Sequence, residues 1–280
     1  MKNRKWMYMA AAAALLVASS ASAQKIIAGD DGLTTPGGGT TNVNLSSFPI
    51  QEVFGAGIEG NPVVSLRGEA LGSGPLQTID TIVRRNNDVD LRNGTGTGSL
   101  EIVALRMVSE KAVSIGGKSY QLHVFLSEFR SDVKPGAITY QMANADGGKF
   151  SSSFTVRTKL VFTDEGGRAT TIDCGAVDCG AAGNLKMSVT GGNFTIAGVP
   201  GGYDPAARGI RGLPAGLAVD GDGDGVAELT TLASSNLAIG VIPSRPTFPP
   251  GPTDKDEQIA NHTFVGPAST VTPSATAAKQ

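Results

Sequence analysis

The sequence predicts an all-β chain, an antiparallel β-sandwich of about ten strands. Three observations carry this expectation. Between residues 150 and 163 the even positions, Phe150, Ser152, Phe154, Val156, Thr158, Leu160 and Phe162, are mostly apolar, whereas the odd positions, Ser151, Ser153, Thr155, Arg157, Lys159, Val161 and Thr163, are mostly polar. Side chains of a strand alternate faces with a period of two, and a helix would scatter those phenylalanines around its surface. Similar short apolar segments recur every ~8–12 residues between turn signals, as in a sandwich. Glycine supplies 38 of 280 residues and charged residues only 17%, against averages of ~7% and ~25%. A closed barrel is the alternative arrangement of the same strands. No long internal repeat is present, which argues against a propeller or solenoid.

Residues 1–23 read as a secretory signal peptide. Lys2, Arg4 and Lys5 precede an apolar run from Trp6 to Ala18, and Ala21-Ser22-Ala23 fits the small-x-small cleavage rule. The run is shorter than the ~20 apolar residues of a spanning helix. Cleavage after Ala23 removes three of the 23 Lys+Arg and none of the 25 Asp+Glu, for a net charge of −5, and takes away the single Trp.

Residues 24–47 contain GDDGLTTPGGGTTN, without periodicity and rich in Gly and Thr, so a flexible arm is expected. Residues 48–242 are expected to form the sandwich domain. Its strand candidates begin around Val53-Phe54. Residues 63–71 follow, with Gly68 as a bulge, then residues 77–85. Residues 100–108 are apolar on both faces, as in a covered central strand. After a turn at Gly116-Gly117 come residues 120–127 and 137–142, then the long strand. DEGG at residues 164–167 makes a hairpin turn into residues 168–172. Residues 185–190 and 193–197 read as a hairpin about Gly191-Gly192. Residues 204–208 suit one helical turn, and residues 217–219, 226–232 and 237–242 are the last strands. Residues 243–280 are rich in Pro, Ser and Thr and read as a disordered tail, with a short helix at 253–261.

Cys174 and Cys179 lie in DCGAVDCG. A redox pair or half a metal site are the alternatives to a disulfide. The spacing departs from the two-residue redox motif, no His is near, and an exported chain meets oxidising conditions, so a loop-stiffening disulfide is expected.

The most specific local pattern is Asp220-Gly221-Asp222-Gly223-Asp224-Gly225-Val226-Ala227-Glu228. Carboxylates at alternate positions, spaced by glycines, let a tight loop turn several oxygens inward, and calcium takes ~6–8 hard oxygen ligands. The bland alternative is an acidic solvated turn. The run resembles the calcium loops of dockerins, thrombospondin type 3 repeats and integrin-type repeats, and the start of an EF-hand loop. The resemblance implies side-chain oxygens from Asp220, Asp222 and Asp224, a backbone carbonyl from Val226, and a bend at Gly225. It departs at Thr231, where an EF-hand has a bidentate Glu; Glu228 would compensate. Those families usually carry several copies, and this chain has one.

Catalytic signals are sparse. The two histidines are His123, in a strand candidate, and His262, in the tail. No G-x-S-x-G elbow is present. Glu69, Asp80, Glu101 and Glu128 lie on or beside strands and are the carboxylates a glycosidase would draw on, but no spacing singles out a pair. Arg84, Arg85 and Arg106 are expected to pair with Glu69, Glu101 or Asp80. TIDTIVRR followed by EIVALRMVS resembles a pattern in uncharacterised secreted proteins of environmental bacteria, which implies export and no known activity.

The expected protein is secreted, extracellular or periplasmic, non-catalytic and possessed of a binding or structural role toward an extracellular protein or glycan. One alternative is a secreted hydrolase of glycans or esters. The other is a surface subunit that assembles through a sheet edge or the arm. No basic stretch interleaves with aromatics, so nucleic acid is not an expected partner.

Overall fold

The computed structural model describes residues 24–35, 37–38, 41–144, 147–183, 185–196, 210–233, 237–239 and 263–264. The expected signal peptide, the helical turns at 204–208 and 253–261, and the tail apart from residues 263–264 lie outside the described residues.

In chain order the strands are β1 (Gln24–Ile26), β2 (Gly29–Leu33), β3 (Thr41–Asn44), β4 (Val63–Gly68), β5 (Thr81–Arg85), β6 (Val89–Leu91), β7 (Thr95–Ser109), β8 (Val113–Ile115) and β9 (Lys118–Leu126). They continue with β10 (Gly136–Asn144), β11 (Gly147–Val156), β12 (Thr158–Asp164), β13 (Ala169–Asp173), β14 (Leu185–Ile196), β15 (Ile210–Gly212), β16 (Ala218–Val219), β17 (Leu229–Thr230), β18 (Leu237–Ile239) and β19 (Thr263–Phe264). One sheet runs β18-β14-β11-β10-β7-β5-β2-β15 and the other β13-β12-β9-β7-β4-β3-β19, with β8 on β9. Pairing is antiparallel except between β3 and β19.

Strand β7 belongs to both sheets. Thr95 to Leu100 pair with β10 and Leu100 to Leu105 with β5, whereas Arg106 to Val108 pair with β9 and Met107 to Ser109 with β4. A bulge at Val103 marks the passage, in keeping with the bend a bulge gives a strand. The all-β sandwich is present, and among the described residues it does not close into a barrel.

The long strand expected over 150–163 is two strands, β11 and β12, one in each sheet. The alternation survives the break at Arg157. Phe150, Ser152, Phe154, Val156, Thr158, Leu160 and Phe162 are all buried, because both strands turn the same parity toward one interior. Leu105, Met107, Leu122, Val124, Tyr140, Phe150, Phe154, Phe162 and Phe194 meet there. The residues around Val53-Phe54 are helical rather than extended: α1 (Ile50–Phe54) ends at Gly55, whose φ of 67° suits glycine. Phe54 then packs edge-on against Tyr120 and Phe162 at 5.3 and 5.1 Å. The hairpin expected about Gly191-Gly192 is instead one strand, β14, with a register shift opposite Ser151. Gly191, at φ 71°, sits in that shift as a bulge residue. Gly116 and Gly117, both at positive φ, do form the expected tight turn between β8 and β9.

Residues 24–47, expected to be a flexible arm, carry β1, β2 and β3 and pair with β6, β5 and β4. The polar composition misleads because the buried charges find partners far along the chain. Asp30 is 0% exposed and takes two hydrogen bonds from Arg84, Nε to Oδ1 and Nη2 to Oδ2, each 2.8 Å. Asp31 accepts from Arg85 Nη1 at 2.6 Å. The closest carboxylates of these arginines are thus Asp30 and Asp31 rather than Glu69 or Asp80, while the expected Glu101 stands opposite Arg84 as its cross-strand neighbour. Arg106 does approach Glu69, at 3.7 Å.

The disulfide joins Cys174 to Cys179 with Cα atoms 5.3 Å apart. Both cysteines are buried at the edge of the main core. Asp173 holds the base of this loop, accepting from Ser127 Oγ at 2.5 Å and from Gly175 N at 2.8 Å. A sequence separation of 5 closes so small a ring that chain entropy gives about 2 kcal/mol. The Cys174→Ser, Cys179→Ser double variant should lose that much in urea unfolding. A loss above about 4 kcal/mol would mean that core packing by the sulfurs outweighs the cross-link.

Candidate metal centre

A second, smaller apolar cluster lies apart from the main core. Ile82, Val103 and Ala104 from β5 and β7 meet Leu71, Leu76 and Ile79, and Leu213 and Val219 complete it. The covering segment, residues 213–232, contains the short hairpin β16–β17. Thr231 closes the hairpin's base: its amide donates to Leu217 O at 3.0 Å, and its hydroxyl donates to Pro214 O at 2.7 Å. The Asp-Gly run is the loop of this hairpin.

Within the loop, ligand atoms of Asp220, Asp222, Asp224 and Glu228 all lie within 4.8 Å of one another. The glycines allow this because the loop's own amides turn inward. Gly223 N and Gly225 N donate to Asp220 at 2.6 and 2.9 Å, and Gly221 N donates to Glu228 Oε1 at 2.8 Å. Asp224 N donates to Asp222 Oδ1 at 3.2 Å, and Val226 N to Asp224 Oδ1 at 2.7 Å. Carboxylate oxygens keep lone pairs beyond those used by one amide, so the four groups can hold a metal ion. The structure thus brings together the four side chains picked from the sequence. Val226, picked for its carbonyl, is 63% exposed and stands at the loop's outer end.

The loop is seated on the sandwich. Leu105 N, freed where β7 passes between sheets, donates to Gly221 O at 3.4 Å. Gly223 adopts φ 75°, and a Cβ there would collide with the Phe125 ring. The same ring carries Lys159 Nζ at 6.0 Å and Arg106 at 5.6 Å from its centroid. Arg106, Phe125 and Lys159 are cross-strand neighbours on β7, β9 and β12. Lys159 is only 7% exposed, and its Nζ is 2.8 Å from Glu128 Oε1. Burial pushes the Asp222 carboxyl above its usual range; Lys159 opposes this, while Glu228 and Asp224 push the same way. Sequence reasoning missed Lys159, which occupies one of the polar positions of the alternating strand.

The other carboxylates considered for catalysis are held separately. Glu69 Oε2 lies 3.2 Å from His123 Nδ1, and the His123 ring stacks at 6.1 Å from Phe125. Glu128 holds Lys159, and Glu101 stands opposite Arg84 in the β5–β7 ladder. Asp80 is 2% exposed and accepts from Thr35 N, from Thr35 Oγ1 at 3.0 Å and from Thr81 Oγ1 at 2.7 Å. A polar groove of about 420 Å³ lies between β4 and β8, bordered by Glu59 and Glu110. Each of these accepts a backbone amide, from Gly117 at 2.7 Å and from Gly38 respectively.

Neither a family model nor a curated protein nor a solved structure matches the chain. Among the described residues no helix is long and apolar enough to cross a membrane.

Proposed function

We propose that this chain is a secreted, non-catalytic extracellular or cell-surface β-sandwich protein with a binding or structural role, stabilised by one calcium ion. The observation that carries the reading is the convergence of Asp220, Asp222, Asp224 and Glu228 within 4.8 Å. Four carboxylates so close repel one another, and a divalent cation relieves that repulsion. The donors are all hard oxygens, which suit calcium rather than the softer transition metals. The Val226 carbonyl is the fifth ligand in this reading. An oxidised Cys174–Cys179 pair fits an oxidising compartment, and the basic-apolar-small order of residues 1–23 supports export.

The test is thermal unfolding with calcium or chelator. Calcium at about 100 times its Kd should stabilise by about 2.7 kcal/mol, or about 5–10 °C in Tm for a chain of this size. Asp222→Asn should abolish the shift yet leave the calcium-free protein no less stable, because it removes one repelling charge. If neither calcium nor chelator moves Tm, the calcium reading fails. The non-catalytic reading fails if the purified chain hydrolyses model glycans or esters.

A further inference from the structure

Both ends of the segment 213–232 return to a single residue. Leu213 N donates to Asp30 O at 3.3 Å, and Leu232 N donates to Asp30 Oδ2 at 2.8 Å. Arg84, which grips the Asp30 carboxylate, also donates to Thr230 O at 3.1 Å. From this anchor on β2 and β5 the segment crosses the outside of β7, at the bulge where β7 passes between sheets. Its acidic tip comes down on Phe125 of the other sheet, the ring over which Lys159 Nζ stands at 6.0 Å. Underneath it lie Leu71, Leu76, Ile79, Ile82, Val103 and Ala104.

We infer that residues 213–232 form a clasp that opens and closes as a unit over this second apolar cluster, with the charge balance at its tip setting how often it opens. Seating takes the tip out of water, with Asp222 left 7% exposed, and carboxylates close to one another repel more strongly there than in the open state. The buried ammonium of Lys159, held by Glu128 over the same Phe125 ring that Gly223 meets, favours the seated state, because attraction between charges shielded from water is screened little. At the far end the Asp30 anchor is insensitive to the tip except through the clasp itself. Few strands secure the segment: β16 and β17 pair only with each other, and only two residues of each are extended. Such an element belongs to the low-stability end of a fold, opening without global unfolding. Neutralising the tip closes the clasp, and a bound cation is one way to do so. That last clause rests on the calcium reading above; the clasp itself does not.

The experiment is native-state hydrogen exchange of the full chain, reading the amides of Leu213, Leu217, Thr231 and Leu232 against those of Leu122 and Leu160 in the sandwich. Lys159→Gln should speed exchange of the four clasp amides by about tenfold, including Leu213 and Leu232 at the Asp30 end, and leave Leu122 and Leu160 unchanged. Asp224→Asn, which keeps an oxygen for Val226 N, should slow the same four amides. If the clasp amides of the native protein exchange only at the rate of global unfolding, or if Lys159→Gln affects the tip without reaching Leu213 and Leu232, the inference is overturned. About 5 mM calcium, above the usual Kd range of extracellular modules, should slow the four amides in the native protein. If calcium does nothing while both variants act as stated, the calcium reading falls and the clasp stands as a purely electrostatic device.

Discussion

Asp31→Ala is expected to cost about 3–5 kcal/mol of folding stability. The residue is 2% exposed and so is Arg85, whose Nη1 donates to Asp31 Oδ2 at 2.6 Å. Arg85 Nε also donates to Ile27 O at 3.1 Å, so the guanidinium ties two points of the N-terminal segment to β5. Removing the carboxylate takes a negative charge away from a buried guanidinium, and breaking a buried pair from one side costs more than the loss of the contact itself. The Tyr140 hydroxyl, buried beside this pair with no hydrogen-bond partner among the described residues, offers little relief. Replacing both charged residues at once, Asp31→Leu with Arg85→Met, should be far less damaging, because no charge is then stranded. Urea unfolding of the Asp31→Ala variant and of the double variant decides the matter. A single-variant loss below about 1 kcal/mol, the range of exposed pairs, would mean that β2 is not held by this pair.

The Asp31–Arg85 pair also shows where the sequence stops being informative. GDDGL carries no apolar alternation, and its two aspartates read as solvent-facing. They are buried because Arg84 and Arg85, more than fifty residues later, meet them across the β2–β5 ladder, Arg84 directly opposite Asp30 and Arg85 diagonally, opposite Gly29, reaching Asp31. Long-range charge pairing leaves no local trace, whereas the alternation of Phe150, Phe154, Leu160 and Phe162 does, since each of those residues answers to the same interior. That shared interior also hid the break at Arg157, because passing from one sheet to the other preserves parity. The acidic loop was legible for the opposite reason to the arm. Its four carboxylates lie within nine consecutive residues, so their spacing alone states the geometry. Its seat on Phe125 and Lys159 was not legible, because it depends on strands distant in sequence.

Asp80 should make the folded state less stable as pH rises from acid to neutral. Three chain passages between the sheets meet around it. Thr35 lies between β2 and β3, Gly68 and Asp80 bound the passage from β4 to β5, and β7 crosses alongside, with Arg106 N donating to Asp80 O at 2.7 Å. The carboxylate is enclosed so tightly that a Cβ on Gly68 would overlap it. Its donors are Thr35 and Thr81, neither of them charged. Burial pushes its pKa from 3.8 up to about 6, the hydrogen bonds from Thr35 and Thr81 offsetting only part of that. Below the unfolded value both states hold the proton and the group is silent. As pH rises the unfolded chain ionises first, while the folded chain keeps its proton until about pH 6. Folding therefore loses stability across that window, by about 3 kcal/mol once both states are ionised. Asp80→Asn removes the titration while retaining an oxygen for the Thr35 amide, and both threonine hydroxyls can rotate to accept from the new NH2 group. The variant should match the native protein near pH 4 and exceed its stability by up to about 3 kcal/mol at pH 7.5. Free energies from urea unfolding at several pH values supply the comparison, and taking the difference between the two proteins cancels the titration of every other group, Asp222 included. Parallel curves for the two proteins would show that the enclosed carboxylate is ionised throughout, and that the threonine donors outweigh its burial.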